Sequence, residues 1–325
     1  MLPENLLWQP GCLDVLDQRC LPAAVRYLSC RRWVDVARAI AELAVRGAPA
    51  IGIAAAYGVA LAASAGPQAT QLAATGLIQA RPTAVEPAVT VPRVLAAAIA
   101  GGPHAAVAEA VRIHVEDAAR CERIAEFGSQ LLAGRGWVLT HCHTGALATG
   151  GIGTALGAIR RGWEKGVLDG VYCCEARPLW QGARLTALEC QQYGLPHALV
   201  VDGAVGWLLA QHRVGAVCVG ADRIAVNGDV ANKIGTLQLA IAAAHYGIPV
   251  YVFASMSTVD GGLVSGTQIT IEERDADEVR KPHAPPRTPV WNPAFDVTPG
   301  NLVSAIVTET GIEVRPYAFV RRPQS

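Results

Sequence analysis

The chain has 325 residues, 51% of them apolar and only 17% charged, which is enough for sizeable cores and, as a soft expectation, two domains. Its 27 basic residues balance its 27 acidic ones, so the basic patch needed by a nucleic-acid partner or an anionic membrane surface is not expected. So few charges leave little solvated surface for a monomer, and an oligomer is expected instead.

Met1-Leu2-Pro3-Glu4-Asn5 shows no basic segment followed by an apolar run, so no signal peptide is read. The nine cysteines are odd in number and irregularly spaced, which reads as reduced thiols in a cytoplasmic protein. Short extended pieces are expected at Leu6-Leu7-Trp8 and at Ala24-Val25-Arg26-Tyr27-Leu28. From Trp33 to Val45, Val36, Ile40, Leu43 and Ala44 recur at helical spacing. Pro49 suits the first turn of a second helix reaching about Ala63, which is short for a membrane span and carries Gly, Pro and Tyr, as a buried helix does. Residues 66–79 carry little signal. Arg81-Pro82-Thr83 resembles a helix start, and a long helical pattern runs from His104 to Leu132. Gly134-Arg135-Gly136 then marks the domain boundary, giving a mainly helical domain over 1–135 and a second domain over 136–325.

The second half alternates. Val-rich runs at Trp137–Cys142, Gly170–Glu175, His197–Asp202, Ala216–Ala221 and Pro249–Ala254 suit buried parallel strands. Helical patterns lie between them at Thr154–Glu164, Gly182–Tyr193, Val205–His212 and Ile234–Tyr246. The repetition predicts an α/β, doubly wound parallel sheet. Residues 255–299 break the pattern, as functional or irregular segments do. Thr298-Pro299 is expected to open a final helix that Gly311 ends.

Four stretches could carry chemistry. Arg46-Gly47-Ala48 combines a helix N-terminus with a guanidinium, a fit for an anion, although a plain glycine break between helices reads the same way. In His141-Cys142-His143 strand alternation would put both histidines on one face and Cys142 on the other, and no second ligand pair with zinc spacing accompanies them. Gly151-Ile152-Gly153-Thr154-Ala155-Leu156-Gly157, with Glu175 after the next strand, resembles half of a dinucleotide fingerprint and supports a rival reading as an NAD-dependent oxidoreductase. Against that rival, residues 143–150 separate the glycines from the strand end, where the tight turn should be. Asp222 directly follows a Val-rich strand, as a turn residue or as an acid of raised pKa. Asn232 and Lys233 then supply an amide and an ammonium at the next helix start. No Gly-Lys-Ser/Thr motif marks a nucleotide loop.

Taken together, these segments resemble one family, the methylthioribose-1-phosphate isomerases. The resemblance is carried by Arg46–Gly52, Arg81–Val85, Thr140-His141-Cys142, Gly145–Thr149, Arg177-Pro178, Gln181–Thr186, Gly220-Ala221-Asp222-Arg223, Asn227-Gly228-Asp229, Ala231–Thr236, Ile271–Arg274 and Asn292–Pro299, in family order across nearly the whole chain. The family is related to ribose-1,5-bisphosphate isomerases and to regulatory subunits of the exchange factor for translation initiation factor 2. The resemblance implies a small helical domain joined to a Rossmann-like one, usually as a homodimer, with no metal and no cofactor. It implies an aldose–ketose isomerase of methionine salvage that converts 5-methylthioribose 1-phosphate to its ribulose isomer. It makes Asp222 the proton donor and Cys142 a transition-state stabiliser, and it puts substrate contacts on Arg46, Gly47, Ala48, Arg81, Gln181, Asn232 and Lys233. Departures flank these positions. His143-Thr144 stands where the family usually has Asn-Ala, Glu86-Pro87 where Asn-Leu is usual, and Ala176 where Thr is usual, while Asp202–Val205 lacks the usual Asn or Ser and Met. These changes bear on substrate identity and suggest some activity on 5-deoxyribose 1-phosphate. The remaining alternatives are a ribose-1,5-bisphosphate isomerase-like enzyme and a non-catalytic regulatory subunit.

Overall fold

The computed structural model describes residues 2–319, so Met1 and residues 320–325 lie outside the description. The chain folds into two compact units, Met1–Glu122 with Thr144–Gly153, and Arg123–His143 with Thr154–Ser325. This differs from a boundary at residue 135. The reason is local: Ile124 and Leu132, before the Gly134–Gly136 break, pack into the second unit's core beside Val138.

The first unit opens with a three-stranded antiparallel sheet, β1 (Leu6–Gln9), β2 (Cys12–Leu16) and β3 (Tyr27–Cys30). The second strand had no counterpart among the expected pieces, and Ala24–Arg26 lies outside β3. Four helices follow: α1 (Trp33–Ala41), α2 (Ala48–Ala63), α3 (Pro67–Gln79) and α4 (Glu86–Leu131). α1 stops before Val45 because Leu43 turns to φ 60°, a conformation that ends a helix. α2 is buried almost throughout, and its alanines and glycines let α1, α3 and α4 approach closely. α3 occupies the stretch that carried little signal, with Pro67 in its first turn. α4 begins at Glu86 rather than His104 and is interrupted at Gly102 (φ 70°). By length and composition alone it could cross a membrane. Arg93 bridges the interruption by pairing with Glu109 and Glu116, each at 2.9 Å.

The second unit is an α/β sandwich built on β4 (Trp137–Thr140), α5 (Ala155–Glu164), β5 (Gly170–Cys174), α6 (Ala187–Tyr193), β6 (His197–Val200), α7 (Val205–Ala210) and β7 (Val217–Val219). It continues through β8 (Arg223–Ala225), β9 (Val230–Lys233), α8 (Thr236–His245), β10 (Val250–Phe253) and β11 (Val259–Asp260). α9 (Asp277–Arg280), β12 (Phe295–Thr298), β13 (Ala305–Thr308) and β14 (Gly311–Val314) complete it. All five expected strands are present in one seven-stranded sheet of order β14-β13-β10-β7-β4-β5-β6, parallel except for its β14 edge. Val, Cys and Ile side chains of these strands make up two buried clusters.

Two expectations fail here. The final helix is instead β12, a 3-10 turn and the β13–β14 hairpin. Ala305-Ile306-Val307-Thr308 is a short, mostly β-branched run, the kind whose periodicity cannot separate helix from strand. Asn232 and Lys233 end β9, in a second sheet of order β11-β8-β9-β12, and α8 starts only after Gly235. Residues 255–299 remain largely irregular, as expected, with β11, α9 and β12 as their regular pieces.

Asn227-Gly228-Asp229 works as a structural junction. The Asp229 carboxylate accepts the backbone N–H groups of Gly266 and Gly300, both at 2.8 Å, and the Asn227 amide at 2.9 Å. Burial pushes this carboxyl up, but the hydrogen bonds from Gly300, Asn227 and Gly266 prevail and hold it below 3.8. Asp229→Ala should cost about 2 kcal/mol of unfolding free energy at neutral pH, the worth of hydrogen bonds to a charged group. A depressed carboxyl contributes stability that is full above its unfolded pKa and lost as pH falls through the folded value. The gap between variant and wild type in urea denaturation should therefore close in acid; a gap independent of pH would refute the assignment.

Candidate active site

The strand order of the large sheet reverses between β4 and β7. From β4 the chain steps one way to β5 and β6, then returns to β7 and steps the other way to β10 and β13. Such a reversal parts the loops at the carboxyl ends of two adjacent parallel strands and leaves room for a ligand. Cys142 follows β4 and Asp222 follows β7, so the two flagged residues leave the sheet side by side. Cys142 is 8% exposed and adopts φ 66°, a left-handed conformation that is uncommon outside glycine. Thr186 Oγ1 donates to its carbonyl at 2.7 Å. Asp222 is half-buried, and its backbone N–H donates to Ala231 O at 2.9 Å.

Lys233 joins this pair. It is 4% exposed, and burial pulls its ammonium below 10.5; Cys142, Asp222 and Glu278 facing it push it back up, and Arg274 opposes them. Its neighbour Asn232 donates to Thr236 Oγ1 at 3.0 Å, and that hydroxyl donates to Lys233 O at 2.7 Å, which tightens the passage from β9 into α8. From β12, Asp296 accepts the N–H groups of Gly235 and Leu237 at 2.7 and 3.0 Å, capping the start of α8. Burial pushes the Asp296 carboxyl up to about 6.

Gln181 lies one strand over, after β5, and is nearly buried; among the described residues its Oε1 has no hydrogen-bond partner. The backbone behind it is a π-helical turn, Gly182–Thr186, a form frequent at functional sites. Gly182 is obligatory there, because a Cβ would sit 1.7 Å from Cys174 O.

Two stretches of the irregular region close ranks nearby. Ala294 N–H donates to Glu272 O and Arg274 N–H to Asn292 O, so Ile271–Arg274 and Asn292–Pro299 pair with each other. Arg274 bonds Glu272 at 2.7 Å and Glu278 at 2.8 Å. This places an ordered ion-pair cluster in the electrostatic surroundings of Lys233.

In the first unit, Arg46, Gly47 and Ala48 stand at the N-terminus of α2, where no side chain caps the helix. Gly47 has φ 92°, and a Cβ on it would fall 2.5 Å from Ala148 O, so only glycine fits. Arg81 lies in the turn between α3 and α4, half-buried. The glycine run is accounted for by packing inside this unit. A Cβ at Gly150 would strike His114 and Ile53, one at Gly151 would strike Ala118, and one at Gly153 would strike Gly145. These glycines admit neighbouring chain, which removes the motif on which the dinucleotide reading stood.

The two histidines beside Cys142 do not share a face. β4 ends at Thr140 and the chain turns at Cys142, so strand alternation no longer applies. His141 Nε2 donates to Ile234 O at 2.8 Å, and burial lowers its pKa from 6.5 and keeps it neutral. His143 instead meets Thr186 and Glu189. The donor atoms that come nearest to a metal-binding set are those of His141, Cys174 and Asp202, within 4.8 Å of one another. Asp202 spends its two oxygens on the N–H groups of Ala176 and Arg177, locking the end of β6 to the end of β5. Thr186 and Arg274 lie in stretches that carry the resemblance but have no role assigned there, and Glu189 and Glu278 are not among the sequence candidates. A glutamate three residues after a threonine in an otherwise apolar helix start was the available signal for Thr186 and Glu189.

Comparison with known proteins gives the family. The model of the initiation factor 2 subunit family matches residues 44–314. A methylthioribose-1-phosphate isomerase from Anaeromyxobacter sp. (strain K) is 52% identical over 311 residues, 94% of this chain and 91% of its own. The crystal structure of 5-methylthioribose 1-phosphate isomerase from Pyrococcus horikoshii OT3 superposes with a TM-score of 0.90 at 36% identity, covering 97% of this chain and 94% of that one. A structure described as the translation initiation factor eIF-2B, subunit delta, from A. fulgidus gives 0.86 at 39% identity, covering 97% of each chain. The chain belongs to the initiation factor 2 subunit family and, within it, to the methylthioribose-1-phosphate isomerases.

Proposed function

We propose that this chain is an aldose–ketose isomerase that converts 5-methylthioribose 1-phosphate to 5-methylthioribulose 1-phosphate, the isomerisation of methionine salvage. The observation that carries the reading is the placement of Cys142 and Asp222 at the carboxyl ends of adjacent strands, with a buried lysine facing both. A regulatory subunit, the reading favoured by the archaeal initiation-factor structure, has no need of an acid, a thiol and a desolvated ammonium held together. We read the second unit as a Rossmann-like catalytic domain and the assembly as a cytoplasmic homodimer. The exposed Leu199, Val201 and Trp207 at and beyond β6 support the dimer.

The anomeric phosphate locks the sugar as a ring. Asp222 donates a proton to the ring oxygen while the bond from that oxygen to C1 breaks, its electron pair staying on oxygen. Hydrogen then passes from C2 to C1, and the C2 hydroxyl sheds its proton to become the ketone. The Asp222 carboxylate left by the first step is able to receive that proton. Cys142 lies against the migrating hydrogen and stabilises developing charge. The burial of Cys142, Lys233, Asn232 and Gln181 makes a dry surrounding, which suits transfer of hydrogen with its electron pair over exchange with solvent. In the first unit Arg46, with the Gly47 and Ala48 backbone, and Arg81 are phosphate-binding groups; in the second unit Lys233 supplies a cation for the same ligand class, and Gln181 and Asn232 suit sugar hydroxyls.

Turnover on a panel of pentose 1-phosphates tests the activity. The methylthio sugar should be converted, 5-deoxyribose 1-phosphate should show measurable conversion, and ribose 1,5-bisphosphate should not be preferred. No conversion of the methylthio sugar would refute the reading.

Asp222→Asn keeps the shape and removes the acid, so kcat should collapse while substrate still binds. Cys142→Ser should lose most activity, because oxygen is smaller and less polarizable than sulfur. Near wild-type kcat in both variants, with circular dichroism unchanged, would make Asp222 a turn residue and Cys142 a core thiol.

Arg46→Ala should raise KM roughly ten- to hundredfold, since an ionic hydrogen bond is worth ~1.5–3 kcal/mol. Lys233 binds phosphate only as the ammonium. The alkaline limb of kcat/KM should therefore fall as pH rises through a lysine value below 10.5 and should vanish in Lys233→Met. An unchanged KM in Arg46→Ala, or an unaltered limb in Lys233→Met, removes that residue from the phosphate site.

A further inference from the structure

Directly behind Cys142 lies a buried hydrogen-bond chain that the reaction does not itself employ. Thr186 Oγ1 donates to Cys142 O at 2.7 Å. His143 Nδ1 lies 3.1 Å from the same hydroxyl oxygen, and His143 Nε2 lies 3.0 Å from Glu189 Oε1. Both the histidine and the glutamate side chain are 0% exposed.

The protons can be counted. A carbonyl only accepts, so the single Thr186 hydroxyl hydrogen points to Cys142 O. Thr186 Oγ1 must then accept from His143, which fixes a hydrogen on Nδ1. His143 Nε2 stands at ion-pair distance, 3.0 Å, from Glu189 Oε1, and this facing of ring and carboxyl is what lets both be fully buried.

The chain of bonds grips the backbone at its strained point. Cys142 has φ 66°, a conformation whose cost persists only where the surroundings over-determine it. Its carbonyl is held by Thr186, and the ring of the next residue, His143, is bonded to Thr186 at Nδ1 and faces Glu189 at Nε2. Thr186 in turn ends the π-helical turn and leads into α6, which carries Glu189. We infer that His143, Thr186 and Glu189 are positioning residues that lock Cys142 in its left-handed conformation and so aim its thiol at the substrate. The inference rests on Cys142 being catalytic.

The test is an isosteric pair at Thr186, assayed on 5-methylthioribose 1-phosphate beside Cys142→Ser. Thr186→Val keeps the shape and loses both hydrogen bonds. Its kcat should fall roughly ten- to hundredfold, the effect of misplacing a reacting group by about 1 Å. KM should stay within about threefold, because the phosphate contacts are untouched. Thr186→Ser keeps the hydroxyl and should hold kcat within about threefold of wild type. If Thr186→Val retains wild-type kcat, or if Thr186→Ser falls as far as Thr186→Val, the positioning role is overturned. Should Thr186→Val not fold, the comparison moves to Glu189. There Gln can donate to His143 Nε2 and should preserve kcat, whereas Leu cannot and should lose it; equal rates in the two would overturn the inference. Full activity in Cys142→Ser would instead remove the catalytic assignment beneath it, so the two failures are told apart.

Discussion

The reversal of strand order between β4 and β7 is the constraint on which the second unit's chemistry depends. A parallel sheet points all its carboxyl ends the same way, and only where the winding changes direction do two neighbouring loops part instead of covering each other. Cys142 and Asp222 are the residues that leave those two strands. Their closeness therefore needs no long-range coincidence; it follows from Leu139 and Thr140 lying in register with Val217 and Cys218. β4, β7 and β10 are buried along nearly their whole length, as strands of a covered parallel sheet are.

Placing a cation beside them is a harder problem, since burying an ammonium is costly unless charge faces it. The second sheet and the irregular region answer it. β9 carries Lys233 to its end, β12 pairs with β9 in register from Phe295↔Lys233, and Asp296 of β12 caps the helix that follows. Glu278 then adds negative charge toward Lys233, itself held by Arg274, so one ion-pair cluster both orders the segment and compensates the lysine. The long stretch without periodicity is thus a scaffold whose order comes from charge pairing and backbone bonds instead of an apolar stripe.

How legible this was in the sequence depended on range. The large sheet could be read because each strand is a short Val-rich run bounded by Gly, Pro or Asp, a signal contained within the strand itself. The small sheet could not, because β8, β9, β11 and β12 are two to four residues each, and only the β8–β9 pair is local while β11 and β12 join it from far along the chain. β13 was read as helix because Ala305–Thr308 is too short for its period to speak. α3 escaped because its Ala, Thr and Gln residues favour no face strongly. The candidate site divides the same way. Asp222 was visible as an acid at a strand end, whereas Thr186 and Glu189 matter only through Cys142 and His143, more than forty residues away along the chain.

That last dependence also explains why a change at His143 need not touch the chemistry. A side chain next to Cys142 could face the substrate or face the core. Here φ 66° at Cys142 turns the chain, and His143 points into the protein against Thr186 and Glu189 with no exposure. What the position requires is a group that bonds to Thr186 while Thr186 bonds to Cys142 O. An asparagine amide offers a donor and an acceptor there; an imidazole offers two ring nitrogens and, because it is longer, reaches Glu189 as well. Substitution at this site therefore retunes how firmly Cys142 is held and leaves the identity of the reacting groups unchanged. The burial that keeps His143 from solvent also fixes its partners, and it is the bond from Thr186 to Cys142 O, backed by His143, that lets a strained residue persist beside the reacting centre.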